Sequence, residues 1–155
     1  MTHAHHDSTS TDRLALQATV HCLTGCAIGE VLGLVIASAL GWDDLPSVTL
    51  AIVLAFVFGY GLTMRPLVAS GMPVKRAGRL AFASDTLSIA TMEIVDTLII
   101  LAIPGAMAAG ILDVRFWGSL AVALLIAGVV AFPVNRWLIS RGQGHALVHD
   151  AHEGP

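Results

Sequence analysis

Within ten residues, 21–30, the chain sets His21, Cys22, Cys26 and Glu30 in an otherwise apolar stretch. Imidazole, thiolate and carboxylate together form a ligand set suited to zinc, iron or copper. On a helix Cys22, Cys26 and Glu30 fall four residues apart and share one stripe. His21 points about 100° away from Cys22, so both serve one ion only if the helix is distorted or the ion lies between helices. A second set comprises Asp85, Ser88, Met92, Glu93 and Asp96. Stepping about 100° per residue, Asp85, Met92 and Asp96 fall within about 40° of one another, with Glu93 and Ser88 at opposite edges of that stripe. The candidate metal ligands are therefore His21, Cys22, Cys26, Glu30, Asp85, Met92, Glu93 and Asp96. His21 and Asp85 line the approach, and the other six are the expected direct ligands.

The elements that carry these residues read as membrane spans. Residues 14–42 contain no Lys or Arg, and about 20 apolar residues suffice to cross a bilayer. Only 12% of the 155 residues are charged and 55% are hydrophobic, where soluble domains carry roughly 25% charge. The expected fold is all-α, an integral membrane four-helix bundle with spans at about 14–40, 48–64, 80–110 and 116–139. Residues 1–13, with His3, His5 and His6, form an expected disordered tail that does not resemble a cleavable signal. The tail at 142–155 carries His145, His149 and His152, and His-rich tails collect metal weakly. Pro66 is expected to break or kink the second helix, residues 67–79 to form a surface connector, and Pro104 to kink the far end of the third.

Four spans place both tails and the second-to-third loop on one side. That side holds Arg13, Arg65, Lys75, Arg76, Arg79, Arg136 and Arg141, seven of the eight basic residues, with Arg115 opposite. The positive-inside rule then makes both termini cytoplasmic, in a multi-pass protein of the cell's inner membrane. With this orientation the first and third helices run the same way. Cys26 and Glu30 come level with Met92, Glu93 and Asp96, and His21 and Cys22 with Ser88 and Asp85. Gly25, Gly29 and Gly33 form a small-residue stripe that fits either a homo-oligomer contact or close packing within the chain.

Charged side chains inside a membrane are costly and mark functional sites. Four carboxylates with no basic residue at their depth ask for a cation: a transition metal bound and moved, or protons alone. Two other readings stand beside it. One is a membrane thiol oxidoreductase using Cys22 and Cys26, which the four-residue spacing and the absence of a second Cys pair disfavour. The other is an accessory subunit whose protonated carboxyls only hydrogen-bond. Nothing suggests nucleic-acid binding, a phosphate-cradling loop or a hydrolytic triad.

The motif His21-Cys22-x-x-Gly25-Cys26-x-x-Gly29-Glu30 resembles that of the family of small bacterial and archaeal membrane proteins called domain of unknown function 4396. So do Tyr60-Gly-Leu-Thr-Met-Arg-Pro66, Asp85-x-x-Ser88-Ile-x-x-Met92-Glu93-x-x-Asp96, and the segment from Asn135 through Arg141 to His145. The resemblance implies a four-helix membrane fold and no established activity.

Overall fold

The structure, a computed structural model, describes residues 3–106 and 109–141, with side chains from Ser10 onward. Four helices account for nearly all of it: α1 His3–Leu40, α2 Asp44–Ala69, α3 Val74–Ala102 and α4 Val114–Ser140. No strand occurs among the described residues.

Local chemistry explains where the helices stop. Gly41 ends α1 at φ +67°, where Trp42 N–H reaches Ala37 O at 3.0 Å and Gly41 N–H reaches Ser38 O at 3.2 Å. Gly71 repeats the device after α2 at φ +92°, with Met72 N–H on Leu67 O at 3.1 Å. Both are left-handed glycine caps of the Schellman type. Ile103 is extended (φ −85°, ψ 115°) and closes α3, because the residue before Pro104 is pushed out of helical geometry. Asp113 caps α4 by accepting from Arg115 N–H at 2.9 Å.

Several boundaries differ from expectation. α1 is helical from His3 instead of 14, so residues 3–13 do not form the disordered tail expected there. Asp12 is held by an ion pair with Arg136 of α4. Pro66 lies inside α2, which continues through it to Ala69, and a four-residue turn replaces the surface connector. α3 begins at Val74 and stops at Ala102, leaving Pro104 in the following turn instead of kinking a helix that reaches 110. The C-terminal tail at 142–155 lies outside the described residues, as do the side chains of His3, His5 and His6.

The helices form a ring in chain order, with α1 and α3 also meeting across the middle and no contact between α2 and α4 among the described residues. α1, α2 and α4 are long and apolar enough to cross a membrane. α3 carries too many acids to qualify by composition. Its acids are buried, however, and its exposed face shows Phe82, Ile94, Leu98 and Leu101. Leu125 and Val129 continue this apolar exterior on α4. An exterior of that kind suits a lipid bilayer.

The most extensive contact is α1 on α2. A Cβ placed on Gly25 would lie 2.7 Å from Gly59 Cα, one on Gly29 2.2 Å from Ala55 N, and one on Gly33 2.5 Å from Ala51 Cα. The glycine stripe is thus covered by α2 of the same chain. A homo-oligomer through Gly25, Gly29 and Gly33 has no surface left to use, and α2 answers with Ala51, Ala55, Gly59 and Thr63 at matching spacing.

Gly29→Val has to push two backbones apart. It should destabilise by more than the roughly 1–3 kcal/mol of ordinary overpacking, while Gly61→Ala, whose added Cβ meets nothing within 4 Å, should leave the melting temperature near wild type. Equal melting temperatures for Gly29→Val and wild type in the same detergent would refute the close contact.

Candidate functional site: a buried carboxyl cluster beneath a cavity

Both polar stripes turn inward. Cys22, Cys26 and Glu30 of α1 are buried, as are Asp85, Ser88, Met92, Glu93 and Asp96 of α3. α1 turns this way because its glycine stripe, one position back, faces α2. α3 does so because, beyond its basic first turns, its outward face carries large apolar side chains, Phe82, Leu87, Ile94, Leu98 and Leu101. The eight candidate residues separate into three layers along the bundle axis.

The layer nearest the α2–α3 turn is a closed hydrogen-bonded chain. Thr63 Oγ1 donates to Asp85 Oδ2 at 2.5 Å, and Ser84 Oγ donates to Asp85 Oδ1 at 2.7 Å. The Thr63 proton is committed to Asp85, so His21 donates from Nε2 to Thr63 Oγ1 across 2.9 Å. This network ties α1, α2 and α3 together. Alongside it, Asn135 of α4 donates to Thr19 of α1 at 2.9 Å. His21 and Asp85 therefore belong to a satisfied structural network. Thr63 was not singled out from the sequence, although its four-residue spacing from Gly59, Ala55 and Ala51 places it on the face that meets α1.

The middle layer is mostly apolar. Cys22, Cys26 and Met92 pack with Ile89, Ala55, Ala127 and Ala131. Both cysteines are free thiols. Cys22 faces Asp85 and Ser88, and Met92 is fully enclosed.

In the third layer, toward the α1–α2 connection, Cys26 adjoins Glu93 and Glu30, and Glu30 adjoins Glu93 and Asp96. Glu30 Oε2, Glu93 Oε1 and Asp96 Oδ1 are buried with no hydrogen-bond partner, as is Ser88 Oγ, which lies by Cys22 in the middle layer. An unmade hydrogen bond at a buried polar atom costs about 1–3 kcal/mol. The three carboxyls line the inner end of a cavity of about 280 Å³ that extends past Thr97 and Ser119 to Trp42 and Asp44. The side chains adjoin in pairs. Among the described residues no three His, Cys, Asp or Glu side chains gather around one ligation centre.

The profile of a family described as Domain of unknown function (DUF4396) matches residues 12–144. No curated protein and no solved structure matches the chain.

Removing the hydroxyl that links His21 to Asp85 separates architecture from site. Thr63→Val, close to isosteric, should lower stability by about 1–3 kcal/mol, as expected when a buried partner is left unsatisfied. Thr63→Ser should recover most of that loss in thermal unfolding monitored by circular dichroism. A Thr63→Val protein as stable as wild type would show that the network contributes nothing.

Proposed function

The chain belongs to the DUF4396 family, whose description assigns no activity, and from the site itself we propose that it is a multi-pass inner-membrane protein that binds a transition-metal cation, copper, zinc or iron. Cys26, Glu30, Glu93 and Asp96 are the ligands in this reading. The observation that carries it is the set of unpartnered, buried oxygens on Glu30, Glu93 and Asp96. No Lys or Arg occurs at 14–64 or 80–114, so the chain supplies no counter-charge at their depth. Buried carboxylates left so are costly unless a cation joins them. Cys26 adds a soft donor, which favours a transition metal over calcium or magnesium.

Ligation by three groups requires side-chain rotation that draws the adjoining pairs onto one centre. Metal binding and conformational closure are therefore coupled in this proposal. The cavity gives access from the Trp42 end, and the His21–Thr63–Asp85 chain lies toward the other end, beyond the mostly apolar middle layer. Polar groups at both ends of one axis support passage of the cation in addition to binding. The seven-to-one basic bias places the termini in the cytoplasm and the cavity toward the opposite side.

Elemental analysis tests the metal directly. Wild-type protein should carry copper, zinc or iron, and Glu93→Gln or Asp96→Asn, purified identically, should lose it together with the metal-dependent rise in melting temperature. Wild type that stays metal-free after incubation with Cu(I), Zn(II) and Fe(II) ends this reading. Orientation has its own test. A reporter that fluoresces only in the cytoplasm should be bright after Pro155 and dark in the Asp43–Asp44 connection, and the reverse pattern would invert the topology.

A further inference from the structure

The cavity above the carboxyl cluster is larger and more apolar than a bare metal ion needs. Its volume of about 280 Å³ is roughly nine times the ~30 Å³ share of a liquid water. It lies just below the range of small-molecule sites, about 300–1,000 Å³. All four helices wall it, with Leu34 of α1, Ile52 of α2, Ile100 of α3 and Phe116 of α4. A hydrated ion gains nothing from such walls, whereas a hydrocarbon body that leaves water for them does.

The inner end supplies complementary chemistry. Glu30, Glu93 and Asp96 line this end, are each more than nine-tenths buried, and each holds one buried oxygen without a partner: Oε2, Oε1 and Oδ1 respectively. Once side-chain rotation draws the adjoining pairs together and turns these oxygens to the cavity, three acceptors match the three N–H donors of a primary ammonium group. A neutral ligand would leave the carboxyls without a counter-charge, and an anion would be repelled. Asp44 also lines the cavity, and added negative charge in a low-dielectric cleft draws cations inward.

We propose that this cavity binds a primary organic ammonium with a compact apolar or aromatic body. The ammonium sits on Glu30, Glu93 and Asp96, and the body lies against Phe116 and the aliphatic walls. This goes beyond the metal reading, because it shares the carboxyls but needs neither Cys26 nor a metal.

The full chain in lipid nanodiscs is titrated calorimetrically with phenethylammonium, and zinc content is measured on the same preparations. Wild type binds phenethylammonium saturably. Phenyltrimethylammonium, which has the ring and the charge but no N–H donor, binds at least about tenfold more weakly, and neutral benzyl alcohol gives no saturable signal. Asp96→Asn loses phenethylammonium binding. Phe116→Ala weakens it at least about tenfold and leaves zinc content unchanged. Benzyl alcohol binding as tightly as phenethylammonium, or undiminished binding by both variants, overturns the proposal. Zinc bound without phenethylammonium overturns it and leaves the metal reading standing, whereas phenethylammonium bound without zinc does the reverse.

Discussion

The arrangement of the bundle follows from keeping Glu30, Glu93 and Asp96 out of hydrocarbon. A carboxyl facing lipid is expensive whatever its protonation state, so α1 and α3 must each turn their acidic stripe inward. On α1 this rotation brings the glycine stripe, one residue behind, onto a second neighbour. α2 fills that position, because only Ala51, Ala55 and Gly59 allow backbones to come so close. Once α1 and α2 are locked, Thr63 is carried to His21 and Asp85. α4 closes the ring through small residues, Ala127 and Ala131, beside the thiols. One electrostatic constraint thus propagates into helix rotation, then into backbone packing, then into the position of a hydrogen-bonded network.

The parts legible in the sequence were those with a helical period. Residues four apart gave the Cys22–Cys26–Glu30 stripe, and about 100° per residue gave the Asp85–Met92–Asp96 stripe. Counting along two helices that run the same way placed Cys26 and Glu30 level with Glu93 and Asp96, and these residues are neighbours in the structure. What counting could not supply was partner choice. Gly25, Gly29 and Gly33 announce a close contact, but nothing in their spacing says whether α2 or another copy provides it. Thr63 escaped notice because a lone hydroxyl in an apolar helix bonds equally well to its own backbone, as Thr19 does to Ala15 O. Pro66 misled for a related reason. A helix embedded in tertiary contacts survives the loss of one hydrogen bond, and Leu67, just beyond the proline, is fully buried and holds the last turn in place. The cavity was invisible because its walls come from four helices whose individual faces look like ordinary lipid-facing surface.

The two polar layers have opposite energetic characters. Around Asp85 both carboxyl oxygens are engaged, Thr63 is engaged twice, and the network costs little to bury. Around Glu93 three buried carboxyl oxygens lack partners. At about 1–3 kcal/mol each, those three together rival a sizeable part of the roughly 5–15 kcal/mol that holds an ordinary folded protein together. Other polar side chains buried in these helices, Thr19, Ser84, Ser119 and Asn135, are paired. Replacing Glu93 or Asp96 by an apolar residue of similar volume would remove that cost outright. The costly arrangement lies beside the cavity and the inexpensive one away from it. In both proposals above, a cation entering that cavity completes the unpartnered carboxyls. Its binding free energy would then serve partly to relieve a cost already present in the protein, so that ligand affinity and the stability of the bundle become two readings of the same buried oxygens.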